Sequence, residues 1–262
     1  MNYILILTLF LLSCSDSNDN STKEIPRIKT AKELFRDSLK SVHYTNKFVA
    51  TDKNHADDFY RSARLEMYQN VFNYSDTLAG VYSGYKHFYS TAEYSNPDPI
   101  NCEHTIPQSF FNKKEPMRSD MHHLFPTHKD INSKRSNYKF AEIDDSKTTN
   151  WMIFGTVGNS SKPTLEIDTY SEFYNNTFEP REDHKGNVAR AIFYFFTMYP
   201  EITGSTGIKN TITSVANIET LKSWHIADPA DSEEKLRQDG IEAYQGNRNP
   251  YVDDASLAEK SW

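Results

Sequence analysis

Between Cys102 and Phe140 the chain crowds candidate metal ligands, a candidate base and candidate anion clamps into one short stretch. It reads Cys-Glu-His-Thr-Ile-Pro-Gln-Ser-Phe-Phe, then Met-Arg-Ser-Asp-Met-His-His-Leu-Phe-Pro, then Ile-Asn-Ser-Lys-Arg-Ser-Asn-Tyr-Lys-Phe. Residues 100 to 107 predict a strand that ends at Pro107, and Leu124-Phe125-Pro126 predicts a short partner strand. Thr127, with Asp130 three residues on, reads as the cap of a short helix over 128 to 137. The expected order is therefore ββα. On such a helix Asn132 and Arg135 lie three apart and share a face.

Charge sets this stretch apart from the rest of the chain. Residues 104 to 139 carry seven Lys or Arg (Lys113, Lys114, Arg118, Lys129, Lys134, Arg135 and Lys139) against three acids (Glu115, Asp120 and Asp130), whereas the whole chain is at −7. A basic island suffices for phosphate contact, because that contact needs local cations rather than a basic total. The acidic total argues against indiscriminate nucleic-acid binding.

A mean hydropathy of −0.72 marks a polar protein, and 16 Tyr and 16 Phe provide the area for a core. Residues 1 to 13 read as a signal peptide, with an apolar run from Ile4 to Leu12 that is too short to span a bilayer. The run leads into Leu11-Leu12-Ser13-Cys14, which resembles a bacterial lipobox with Cys14 as the lipidated residue. Residues 14 to 26 then read as a lipidated, polar, disordered tether. This predicts an exported outer-membrane or cell-surface lipoprotein, with a periplasmic or secreted protein as the alternative. With Cys14 lipidated, Cys102 has no intramolecular partner, so neither a disulfide framework nor a multi-cysteine zinc site is available.

Residues 27 to 262 read as one α+β domain, mainly helical around the ββα stretch. Ala31, Leu34, Phe35, Leu39 and Val42 predict a helix capped by Thr30, and Asp57 to Tyr74 predicts a second. Residues 80 to 85 read as a strand or turn, and 151 to 169 as strands. Residues 188 to 199 are apolar on nearly every side, which predicts a central buried helix stopped by Pro200. Ile212, Val215, Ile218, Leu221 and Trp224 predict one further helix over 211 to 224. Asp231 and Glu234 predict a capping box that opens a helix to Gln245.

The chemistry follows from the residue types. Glu103 offers a carboxylate oxygen and Asn132 an amide carbonyl; a small set of oxygen ligands completed by water suits Mg²⁺. Zinc prefers more nitrogen or sulfur. His104 has an intrinsic pKa near neutrality, as a general base requires. Strand neighbours point to opposite faces, so convergence of Glu103 and His104 calls for a departure from regular pleating before Pro107. Arg118 carries a planar fork matched to phosphate, with a pair to Asp120 or Glu115 as the alternative.

Glu103-His104-Thr105-Ile106-Pro107-Gln108-Ser109, then Arg118 to Leu124, then Asn132-Ser133-Lys134-Arg135-Ser136-Asn137, resembles the bacterial endonuclease I family of His-Me finger nucleases. Gly186 to Ala191 and Gln245 to Asp253 extend the resemblance. It implies a largely sequence-nonspecific endonuclease cleaving DNA, with RNA as a second candidate, to leave 5′-phosphate ends. It implies His104 as general base, Glu103 and Asn132 as ligands of Mg²⁺ (with Mn²⁺ or Ca²⁺ as alternatives), and Arg118 as the phosphate-stabilising arginine. Lys134, Arg135, Asn137 and His123 are the expected substrate contacts, in a monomer tied to the membrane only by its lipid. Asn187 stands where Asp is common in such proteins. Two other readings compete: a zinc phosphoesterase built on His122, His123 and His128, and a lipoprotein that binds nucleic acid or glycan without catalysis.

Overall fold

The computed structural model describes residues 27–44, 58–90 and 97–262; the signal segment, Cys14 and the tether lie outside them. Helix α1 (Ala31–His43) opens with a complete capping box between Thr30 and Glu33. Helix α2 (Phe59–Glu66) is capped by Asp58 and runs into a single π-helical turn, Met67–Val71. The segment expected as strand or turn is a hairpin of β1 (Thr77–Gly80) and β2 (Tyr85–Phe88).

The central stretch folds as ββα. Strand β3 (Ile100–His104) pairs antiparallel with β4 (Leu124–His128), with Glu103 opposite Phe125 and His104 opposite Leu124. Helix α3 (Lys129–Arg135) follows directly. Its cap is His128, whose Nδ1 accepts from the Asp130 N–H, and not Thr127, which is still in the strand. The strand runs on to His128 and leaves no room for a cap one residue earlier.

A five-stranded sheet flanks this unit. It comprises β5 (Lys139–Phe140), β6 (Asn150–Ile153), β7 (Thr156–Val157), β8 (Ser171–Tyr174) and β9 (Thr177–Glu179), in the order β5-β9-β8-β6-β7. Only β5 against β9 is parallel among the described pairs of this sheet.

Helix α4 (Glu182–Met198) is the central helix, buried from His184 to Met198. It starts six residues before the apolar run, where Glu182 and Asp183 suit the positive end of the helix dipole. Its aromatic face packs with Phe111, Phe140, Phe178 and Trp224 in the main core. Gly186 lets α4 approach a neighbouring turn closely: its N–H donates to Asp228 Oδ2 at 2.8 Å, and a Cβ there would stand 1.9 Å from the Asp228 carbonyl oxygen.

A small hairpin, β10 (Ile202–Thr203) with β11 (Lys209–Asn210), follows. The single helix expected over 211 to 224 is two, α5 (Ile212–Val215) and α6 (Ile218–Ala227), the second capped by Asn217. Helix α7 (Ser232–Gln245) is capped by Asp231 as expected, but the box is half made: the Glu234 side chain turns to Arg190, which donates from Nε at 2.9 Å. Helices α8 (Pro250–Asp253) and α9 (Leu257–Ser261) close the chain. No helix among the described residues is long and apolar enough to cross a membrane.

Candidate active site on the ββα unit

Helix α3 lies against the Asn101 and Glu103 side of β3. Asn132 Nδ2 donates to Asn101 Oδ1 at 2.8 Å and approaches the Cys102 carbonyl at 3.4 Å. Two acceptors facing one amide group fix its orientation: the nitrogen points at the strand, and Oδ1 is turned the other way. One turn further on, Arg135 Nε reaches Glu103 Oε1 at 3.0 Å. The amide expected to share an ion with Glu103 is thus held one residue away from it, against β3.

Glu103 is 3% exposed, and its Oε1 also accepts from Tyr82 Oη at 2.9 Å. Burial raises its pKa, while Arg135 and Tyr82 oppose the rise.

His104 occupies the other side of the ribbon. The β3–β4 register stays regular through His104, and Thr105 N–H donates to the His123 carbonyl. The expected break in pleating is therefore absent; Glu103 and His104 contact different neighbours, as alternate strand positions do. The His104 ring packs near Tyr60, Phe111 and His123. Its Nε2 lies 3.0 Å from the Arg118 carbonyl oxygen. A carbonyl only accepts, so Nε2 carries the proton and Nδ1 of the neutral ring keeps a lone pair. Burial, and then His123, hold the His104 pKa well below its ordinary value, which keeps the ring in that form.

Arg118 is not paired with Asp120 or Glu115. Its Nε donates to Gln108 Oε1 at 3.2 Å, and its guanidinium lies over the Tyr60 ring. Asp120 is occupied elsewhere: its oxygens accept from Tyr194 and Tyr199 hydroxyls, Gln245 Nε2 and the His122 N–H. Glu115 accepts from the Ser119 N–H.

Two expected substrate contacts sit in the interior. Arg135 is 0% exposed and donates to the Thr105 and Ser136 carbonyls besides pairing with Glu103. His123 is equally buried, with Nε2 at 2.6 Å from the Met117 carbonyl oxygen. Neither faces solvent, because α3 and the helical turn Met121–His123 ahead of β4 direct them inward to serve the site's own frame. Asn137 is exposed beyond the end of α3, and Lys134 is half-buried with its ammonium 3.8 Å from the Phe173 ring centre.

The three histidines proposed for zinc do not gather. His122 Nε2 meets the Asn247 carbonyl, His123 Nε2 the Met117 carbonyl, and His128 Nδ1 the Asp130 N–H. Among the described residues no three His, Cys, Asp or Glu form a metal-holding group. That geometry overturns the zinc reading. Asn187 accepts from Arg237 Nη2 at 3.0 Å, and Arg248 pairs with Asp239, Glu242 and Asp253, so both serve the scaffold.

Sequence reasoning missed Tyr82, Asn101 and Tyr60, the side chains that fix Glu103, Asn132 and Arg118. Nothing local marks them; each meets its partner only through the tertiary fold.

This strand-strand-helix frame, bearing a carboxylate, an imidazole and an amide, places the molecule among α+β proteins with a compact polar site on a ββα unit. The endonuclease I family profile matches residues 28–256, and the chain belongs to that family. Among curated relatives, an extracellular ribonuclease of Bacillus amyloliquefaciens is 31% identical over 153 residues, 55% of this chain and 46% of the relative. An extracellular ribonuclease of Bacillus subtilis is 30% identical over 173 residues, 62% of this chain and 54% of the relative. A periplasmic deoxyribonuclease of Aeromonas hydrophila is 27% identical over 143 residues, 55% and 49% of the two chains. The chain spans about half the length of these relatives. Family membership implies a divalent cation. Glu103 and Asn132 fit one by donor chemistry, since each carries a hard oxygen, the Glu103 carboxylate and the Asn132 Oδ1 that is turned away from the strand.

Proposed function

We propose that this protein is a divalent-metal-dependent endonuclease of the His-Me finger type. It hydrolyses phosphodiester bonds of DNA or RNA with little sequence preference and leaves 5′-phosphate ends. The observation that carries the reading is the placement of Asn132 against β3 beside Glu103, with His104 Nε2 committed to a carbonyl. Relatives named as deoxyribonucleases and as ribonucleases support both substrate classes.

His104 Nδ1 takes a proton from water, and the water attacks phosphorus in line with the departing 3′ oxygen. Arg118 presents its fork to the phosphate oxygens. Glu103 and Asn132 would hold Mg²⁺, or Mn²⁺ or Ca²⁺ in its place, which when bound stabilises charge on the phosphate. Asn137 and Lys134 contact the backbone of the strand; contacts limited to phosphates give low specificity. Arg135 and His123 hold the site in place and do not touch substrate.

The activity belongs to one domain over residues 27 to 262, acting as a monomer. Cys14 carries the lipid that ties it to the outer membrane or cell surface after export. Extracellular and periplasmic relatives support the export step.

Plasmid nicking with Mg²⁺, with EDTA and with zinc, repeated on RNA, tests the reading. His104→Ala is expected to lose about 10²- to 10⁴-fold in rate while nucleic-acid binding survives. A His104→Ala enzyme of near-normal activity rules out the assignment.

A further inference from the structure

Tyr60, near the start of α2, touches both of the groups on which the proposed hydrolysis turns. Its ring centre lies 5.2 Å from that of His104, with the planes tilted by 46°. The Arg118 guanidinium sits 4.3 Å from the same ring centre. Arg64, one turn along α2, places a second guanidinium 4.7 Å from it. On the strand side Tyr60 and Cys102, the residue before Glu103, pack against the same core cluster.

Arg118 needs such an anchor. It follows a run of exposed residues, Asn112 to Glu115, in which Asn112 and Lys113 take left-handed backbone angles. No described carboxylate pairs with its side chain; Gln108 and the Tyr60 ring hold it. A guanidinium resting on an aromatic face keeps its edge N–H groups free for a phosphate, whereas an ion pair would occupy them. The Arg118 carbonyl meanwhile fixes His104 Nε2. One residue thus reaches the imidazole through its backbone, and Tyr60 bridges that imidazole to the same residue's side chain.

We propose that Tyr60 is a positioning residue of the nuclease site, its ring holding the Arg118 guanidinium beside the His104 imidazole so that one phosphate meets both. The inference rests on the nuclease reading above.

The test uses the purified full chain, Mg²⁺ and a 5′-fluorescein-labelled oligodeoxynucleotide, with kcat and KM measured for wild type, Tyr60→Phe, Tyr60→Leu and Tyr60→Met. Each change is also made on top of Arg118→Ala. Tyr60→Phe keeps the ring and is expected to stay near wild type. Tyr60→Leu is expected to lose kcat by about three- to thirtyfold, the worth of one cation–ring contact, with KM changed far less. In the Arg118→Ala background the same change is expected to cost much less, because the cation–ring contact is already gone and only the packing on His104 is left to lose. Thermal melts accompany each variant, and Tyr60→Met decides the matter if Tyr60→Leu does not melt cooperatively. Full activity in the ringless variants, or a loss undiminished in the Arg118→Ala background, overturns the inference. A wild-type chain that leaves the oligonucleotide intact overturns the nuclease reading itself, so the two failures are distinguishable.

Discussion

Replacing Arg135 with Met separates a frame residue from a substrate contact. The guanidinium is fully buried, 3.0 Å from Glu103 Oε1, and donates to the Ser136 carbonyl at 2.7 Å and the Thr105 carbonyl at 2.5 Å. Its centre also lies 4.4 Å from the Phe140 ring centre. Methionine fills the stem's volume and removes only the charge and the donors. Stripping one partner from a buried pair costs about 3–5 kcal/mol, and an orphaned carbonyl about 1–3 more. Glu103 offsets part of this by taking up a proton, since burial already favours its neutral form. The expected net loss is about 3–5 kcal/mol, a large share of the roughly 5–15 kcal/mol typical of a folded domain. Urea unfolding at pH 7 in EDTA measures it. With Glu103 as the proposed metal ligand, repeating the titration in Mg²⁺ is expected to recover more stability in the variant than in wild type, because a bound ion would replace the missing positive charge beside Glu103. A loss under about 1 kcal/mol, combined with a severalfold rise in KM for DNA, would refute this reasoning and return Arg135 to the substrate surface.

Much of this arrangement was legible in the sequence, for reasons tied to particular residues. The ββα order followed from Pro107, the apolar Leu124-Phe125 pair and the polar residues that lead into α3. The buried helix followed from an apolar run over 188 to 199 interrupted by Arg190 and Thr197. The failures are equally specific. Ile212, Val215, Ile218, Leu221 and Trp224 recur every three residues, and that spacing rotates about 60° per step against an α-helix. Five such positions do not share one face of one helix, so the chain breaks at Ala216 and restarts on the Asn217 cap. Arg135 read as a surface cation because its partner, Glu103, is remote in sequence and meets it only when α3 lies on β3. Lys134 and Asn137, its neighbours, meet no such acid among the described residues. The three histidines looked like a ligand set by proximity in sequence alone; β4 and its flanking turns send each to a different backbone group.

Two further perturbations test the scaffold. Gly186→Ala reverses the usual rule that Ala strengthens a helix: its Cβ would stand 1.9 Å from a backbone oxygen, and a loss of about 3 kcal/mol or more is expected in thermal melts. A melt equal to or above wild type refutes the close approach of α4 to Asp228. Glu172→Gln tests a buried acid of the five-stranded sheet. Glu172 is 6% exposed, accepts from Thr148 Oγ1, and is pushed by burial from 4.5 up to about 7. The folded state therefore binds this proton more tightly than the unfolded chain does. The stability it contributes is complete below pH 4.5 and is lost as pH rises through about 7. Glutamine keeps an acceptor for Thr148 and has no charge to bury, so its advantage over wild type grows between those limits, reaching about 2–3 kcal/mol at pH 8. Urea unfolding at pH 5 and pH 8 reads the difference. An offset between Gln and Glu that is the same at both values would show that Glu172 ionises in the folded protein as it does in the unfolded chain, and that burial does not govern its proton.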